Sequence, residues 1–169
     1  MKIKILITGG TIDKQYNAST GELGFIETHI VEMLNRSRSM ADTLSEVLFL
    51  KDSLDITDEN RALILSKCQQ SAEKAILISH GTDTMAQTAE LLGEHIKDKT
   101  IVLFGAMMPY SINQSDALFN LGFALSSVQN KAAGVYIAMN GQVFDFDKVK
   151  KNKSLGVFEN CFEAYNIDR

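Results

Sequence analysis

Short, unbroken apolar runs recur along this chain, separated by segments of helical period, and that alternation sets the fold class. The runs lie near 2–8, 46–50, 75–79, 100–105 and 133–139. Each has the length and continuity of a strand covered on both faces, as in a parallel sheet, and not the alternation of a sheet with one solvated side. Between them, Ile30, Met33 and Leu34 mark a first helix, and Leu63, Ile64 and Cys68 mark a second opened by a cap at Thr57. Ala89, Leu92 and Ile96 mark a third, and a fourth runs from about Asn113 to Val128 with Leu118, Leu121 and Leu125 inward. Strand alternating with helix predicts an α/β fold: a single doubly wound, mainly parallel sheet with right-handed crossovers, a flavodoxin-like three-layer sandwich.

Two stretches fall outside this rhythm. Residues 13–24 are polar and glycine-bearing and read as a mobile loop able to fold over a ligand. From Gln142 to Arg169, charged residues alternate with Phe144, Phe146, Phe158 and Phe162 without a clear period, which predicts a short ribbon or loop and a docked tail. These phenylalanines are more apolar surface than one small domain is expected to bury alone, so they also suggest a homodimer.

Composition narrows the picture further. A chain of 169 residues that is 45% hydrophobic is sized for one compact domain, expected to span 1–169. Net charge is −4, and the Lys and Arg residues are scattered apart from Lys148–Lys153, so there is no basic face to track a phosphate backbone. Nucleic acid is not an expected partner. Cys68 and Cys161 lack metal or redox spacing, and the N-terminus enters a strand directly and not through a signal segment, which points to a reducing cytoplasm. No apolar stretch approaches the ~20 residues of a membrane span.

In an open α/β sheet, ligands bind outside the carboxyl ends of the strands. There the first run ends in Thr8-Gly9-Gly10-Thr11-Ile12 and the third in His80-Gly81-Thr82-Asp83-Thr84. Each presents a hydroxyl after a glycine, and the glycine lets backbone N–H groups approach a small ligand as donors to a developing oxyanion. Ser53 and Ala106 fall at the same edge. Taken alone, either Gly-Thr pair is ordinary turn or helix-cap chemistry, and Asp83 could merely cap the following helix. Together they point to one site. His80 precedes its glycine and reads as structural, His29 and His95 sit in helical patterns, and no His/Cys/Asp cluster has metal spacing. No metal and no cofactor are expected.

The intact segments 8–12 and 80–84 resemble the two signatures of the bacterial-type L-asparaginase family. Gly105-Ala106-Met107-Met108-Pro109 is similar to its Gly-Ala-Met-x-Pro turn, Asp116–Leu121 to its following helix, and Val135–Gly141 to its next strand. The resemblance covers nearly the whole chain and corresponds to the family's N-terminal domain, without the smaller C-terminal domain of full-length members. It implies that Thr11 is the nucleophile and that Thr82, Asp83 and Lys151 form a second constellation. Lys151 stands eleven residues beyond Asn140, with Lys150 and Lys153 the neighbouring alternatives. It further implies that Ser53 binds the substrate α-carboxylate, that Asp83 holds the α-amino group, that Gly10 and Gly81 serve through backbone, and that the Ala106 carbonyl accepts from the leaving amide. The family's loop tyrosine matches Tyr16, with Phe25 as the other candidate. Asp13 and Met108 depart from the family's usual alanine and arginine.

The function so implied is hydrolysis of L-asparagine to L-aspartate and ammonia through a threonine-linked acyl-enzyme, with L-glutamine a poorer substrate. Two other classes compete. A non-catalytic amino-acid-binding module would keep the clamp residues but has no need of both threonines and a lysine. A nucleotide-binding flavodoxin-like protein matches the sheet pattern only, because the chain has no Gly-x-Gly-x-x-Gly and no Gly-Lys-Ser/Thr phosphate loop.

Overall fold

The computed structural model describes residues 1–161. Its centre is a six-stranded sheet built on β1 (Ile3–Gly9), which pairs in parallel with β4 (Thr43–Lys51) on one side and β5 (Ala75–Ser79) on the other. β6 (Thr100–Phe104) and β7 (Gly134–Met139) continue in parallel, and β8 (Gln142–Asp145) returns antiparallel at the edge. The order β4-β1-β5-β6-β7-β8 is the doubly wound arrangement, with one antiparallel strand added.

The alternation within β1 shows why both faces need cover. Ile3, Ile5 and Ile7 enter one apolar cluster together with Ile30, Met33 and Leu34 of α1 (Ile30–Arg36) and Ala117, Leu121, Ala124 and Val128 of α4 (Ala117–Asn130). Leu6, of opposite parity, joins Ile64 and Cys68 of α2 (Asp58–Gln70) and Met85, Ala89 and Leu92 of α3 (Met85–His95) on the other face. All five residues of β5 are buried, as a central strand between two helical layers requires. Thr57 caps α2, as predicted, accepting from the Asn60 N–H while the Asn60 side chain accepts in return.

Four details differ from the sequence reading. The fourth helix begins at Ala117 and not near Asn113, because the Asp116 carboxylate is engaged by the backbone N–H groups of Met107 and Met108. Its buried stripe is Ala117, Leu121, Ala124 and Val128, with Leu118 and Leu125 only half-buried at its margin. Leu63 is exposed, since the inward face of α2 is carried by Ile64 and Cys68. The stretch 13–24 is ordered as a hairpin, β2 (Lys14–Asn17) paired antiparallel with β3 (Glu22–Phe25).

The tail differs most. After β8, residues 149–160 form a second hairpin, β9 (Val149–Asn152) against β10 (Val157–Asn160). Phe144, Val149 and Phe158 are buried in the α2/α3 cluster, and Phe146 packs against it. Gly93 of α3 makes the room, for a Cβ there would lie 2.4 Å from the Phe146 ring. These phenylalanines dock within the chain, so the dimer argument drawn from them loses its premise; Phe162 lies outside the described residues. No helix among the described residues is long and apolar enough to cross a membrane.

Because the return strand is held through a fully enclosed ring, Phe144→Ala should cost about 3–5 kcal/mol. Urea unfolding should show a lower midpoint with an unchanged slope; a midpoint equal to wild type would mean that β8 is not anchored through its side chain.

Candidate functional site

Among the parallel strands, the connection from β1 leads to β4 on one side and the chain then crosses to β5 on the other, so the order reverses between β1 and β5. In open α/β sheets ligands bind at such a reversal, outside the carboxyl ends of the strands. The Thr11 and Thr82 loops flank it. Immediately after β1, Gly10 takes φ 85°, a left-handed conformation that favours glycine, and the chain enters a single 3-10 turn over Thr11–Asp13. A Cβ on Gly10 would lie 2.4 Å from the Gly81 nitrogen, and one on Gly81 would lie 2.7 Å from the Ser53 Cβ. The backbones after β1 and β5 and the buried Ser53 after β4 are thus stacked with no room for a side chain between them. Thr11 is half-buried directly beyond this contact.

A second group forms beside Thr82. Lys151 Nζ donates to Thr82 Oγ1 at 2.7 Å and to Asp83 Oδ1 at 2.9 Å. The lysine reaches inward from β9, its side chain only 15% exposed. Its neighbours do otherwise: Lys150 is exposed and pairs with Glu159 at 3.3 Å, and Lys153 is exposed. Asp83 is committed to this ion pair and is not a helix cap; the residue at the cap position of α3 is Thr84, whose hydroxyl donates instead to the Ser53 carbonyl at 2.8 Å. The Asp83 N–H donates to Ser53 Oγ at 3.2 Å, which leaves the serine's own proton for another acceptor.

Sequence reasoning missed the next pair. Lys14 Nζ and Asp52 Oδ2 form a 2.5 Å ion pair across the base of the β2–β3 hairpin, and Asp52 Oδ1 accepts from the Leu54 N–H. The Lys14 hydrogen bond chiefly, helped by Lys151, holds the Asp52 carboxyl below the usual carboxylate range. The Lys14 carbonyl accepts from Ser111 Oγ and the Ile12 carbonyl from the Tyr110 N–H, so the segment entering the hairpin is tied to residues 110–111. Tyr16 stands on this hairpin at 64% exposure, paired in register with Leu23, and is not gathered with Thr82 and Lys151. Phe25 lies at its other end, beneath Lys14 Nζ.

Asp13 is fully buried, and burial raises its pKa. Its Oδ1 accepts from Thr28 Oγ1 at 3.0 Å and from the His29 N–H at 2.8 Å, which ties the Thr11 turn to the start of α1. His80 is also fully buried. Its Nδ1 lies 2.8 Å from the Gly81 carbonyl, which can only accept, so Nδ1 carries the proton and Nε2 accepts from Thr88 Oγ1 at 2.8 Å. Both nitrogens are occupied and burial lowers the imidazole pKa to about 4, in keeping with the structural reading of this histidine.

At the end of β6, Ala106 is buried between residues fastened from α4. Asn120 Nδ2 donates to the Gly105 carbonyl at 3.0 Å and to Asp116 Oδ2 at 2.8 Å, while that carboxylate receives the Met107 and Met108 N–H groups. Asp116 and Asn120 were visible in sequence only as part of a matching segment; an aspartate followed four residues later by an asparagine on one helix face was the signal. A groove of about 410 Å³ between α2 and α3 is lined by Arg61, Leu65, Gln87 and Glu90 and contains none of these residues.

The family model described as "Asparaginase, N-terminal" matches residues 2–168. The chain is 32% identical to "L-asparaginase 2" of Escherichia coli over 92% of its own length and 47% of that protein's. It is also 32% identical to a glutamyl-tRNA(Gln) amidotransferase component of Pyrococcus furiosus, over 85% of this chain and 34% of that one. The thermostable L-asparaginase from Thermococcus kodakarensis superposes with a TM-score of 0.84 at 29% identity, covering 95% of this chain and 51% of that structure. The chain therefore spans about half the length of the relatives called asparaginases.

The site's geometry makes two expectations. Gly10→Ala forces a Cβ into backbone at a left-handed φ, so it should cost at least ~3 kcal/mol or prevent folding, as read by thermal melting. His80 should make the fold acid-sensitive. Its pKa of about 4 lies below the ordinary 6.5, so the unfolded chain takes up a proton the native state refuses. This contribution is complete above pH 6.5 and is lost as pH falls toward 4. The urea midpoint should decline across that window, and His80→Asn should flatten the decline; an equal slope in the variant would assign it to other groups.

Proposed function

Because the chain belongs to the asparaginase N-terminal family, we propose that it is an amidohydrolase that converts L-asparagine to L-aspartate and ammonia. The observation that carries this reading is the Lys151–Thr82–Asp83 group, bonded at 2.7 and 2.9 Å, with Thr82 and Asp83 on a loop that packs against the loop of Thr11 through Gly81 and Gly10. A binding site for a carboxylate and an amine has no use for a hydroxyl wired to a half-buried lysine. A hydroxyl nucleophile needs a proton path of that kind.

In this mechanism Thr11 Oγ1 attacks the side-chain carbonyl carbon of asparagine. The C–N bond breaks, ammonia leaves with the proton that Thr11 gave up, and a β-aspartyl ester remains on Thr11. Water then attacks the ester, the C–O bond to Thr11 breaks, and aspartate departs as the threonine hydroxyl is restored. Thr82 and Lys151 relay the protons in both halves, Lys151 oriented by its second bond to Asp83. Backbone N–H groups of the two turns other than those of Gly10 and Asp83, which the Lys51 carbonyl and Ser53 Oγ engage, serve as donors to the oxyanion, and the Ala106 carbonyl receives the leaving amide. Ser53 donates to the substrate α-carboxylate, and Asp83 receives the α-amino group. Tyr16 acts on Thr11 only when the 14–25 hairpin folds inward. L-glutamine, one methylene longer, reaches Thr11 less well from the same clamp. The reading includes a homodimer acting in the cytoplasm.

Ammonia release by purified protein tests the reading. Thr11→Ala and Thr82→Val should each lower kcat by at least ~10³ with the fold intact, because nucleophile and relay act as one unit. Lys151→Met should match Thr82→Val, while Lys150→Met and Lys153→Met stay close to wild type. Folded wild-type protein that binds asparagine yet releases no ammonia would sink the hydrolase and favour the amino-acid-binding module.

A further inference from the structure

Lys151 reaches Thr82 from a two-stranded hairpin that is not part of the main sheet, so something must fix that hairpin's distance from the end of β5. A two-stranded ribbon holds little shape by itself. Directly across the hairpin from Lys151, in register, is Phe158. Its backbone N–H donates to Asn140 Oδ1 at 3.1 Å. Asn140 follows β7 immediately and takes φ 55°, a left-handed conformation that asparagine tolerates and that lets the chain turn back into β8. Its own N–H donates to Asn120 Oδ1 at 3.3 Å, and Asn120, fully buried, donates to the Gly105 carbonyl beside Ala106.

We propose that Asn140 is a positioning residue for Lys151: its side-chain carbonyl, through Phe158, holds the β9–β10 hairpin at the spacing at which the lysine meets Thr82. With Asn120 it forms one hydrogen-bonded chain from the turn at Ala106 to the strand opposite Lys151. Both ends of the reaction path, the carbonyl that receives the leaving amide and the lysine that moves its proton, are referred to the same two amides. The inference rests on the amidohydrolase reading for its functional meaning, while its structural content stands on the hydrogen bonds alone.

Two substitutions separate the carbonyl from the backbone conformation. Asn140→Gly removes the acceptor and is at ease at a positive φ, whereas Asn140→Asp keeps an oxygen to accept from Phe158. Asn140→Gly should lower kcat for ammonia release 10- to 100-fold with KM within twofold, and should speed amide hydrogen exchange in 149–152 and 157–160 but not in β1, β5 or β6. Asn140→Asp should restore both properties to within about threefold. Unchanged exchange in the hairpin of Asn140→Gly, or a kcat equal to wild type with the hairpin loosened, would overturn the proposal, as would an Asn140→Asp variant as impaired as the glycine. Wild-type protein without activity would defeat the amidohydrolase reading instead, and exchange at 149–160 would still decide whether Asn140 holds the hairpin.

Discussion

The arrangement depends on one steric constraint: the loops that follow three strands meet at the point where the sheet reverses its winding, with no room for a side chain on either glycine at the contact. Gly10 lies on Gly81 and Gly81 on Ser53, each so close that a single added carbon would fall within 2.4 to 2.7 Å of a neighbour. Since the strands themselves are 4.7–4.9 Å apart in any sheet, contacts of this kind arise only where loops fold over the strand ends. Thr11 and Thr82 each follow directly on one of the two glycines that make this contact.

Charge is arranged on this platform in two pairs. Lys14 with Asp52 and Lys151 with Asp83 set two ion pairs beside Ser53, whose hydroxyl accepts from the Asp83 N–H and which follows Asp52 directly. Their attachments differ. Lys14 leaves the root of the β2–β3 hairpin, whose first strand carries Tyr16, while Lys151 comes from a hairpin whose Val149 and Phe158 are buried in the α2/α3 cluster. One pair ties a projecting ribbon to the site, and the other draws the site to a ribbon anchored in the apolar core.

The buried polar groups explain how such a site coexists with a small core. His80, Asn120 and Asp13 are each fully enclosed, and each places one hydrogen bond on backbone, at the Gly81 carbonyl, the Gly105 carbonyl and the His29 N–H respectively, and another on a side chain, Thr88, Asp116 and Thr28. An enclosed polar group without partners is costly, so each has strong reason to keep its loop in place. Loops held this way need no additional strands or helices around them.

The sequence by itself determined the sheet and most of its layering, because continuous apolar runs of five to seven residues and the 3.6-residue stripes of the helices are local properties of the chain. It also marked Thr11, Thr82, Asp83 and Ser53 as neighbours, since each follows a strand directly and strand ends share one edge. Lys151 could be located in sequence only by counting, with Lys150 and Lys153 equally basic beside it. The strand parity of β9 decided between Lys150 and Lys151, turning them to opposite faces so that Lys151 meets Thr82 while Lys150 meets Glu159, and Lys153 lies beyond the end of the strand. Tertiary structure alone also ordered 14–25 as a hairpin, buried Phe144 and Phe158, and joined Asn120 to Asn140 and Asn140 to Phe158. Those pairings link residues 18 and 20 positions apart through single hydrogen bonds, and no periodicity in a chain records a contact that depends on where two separately folded segments come to rest.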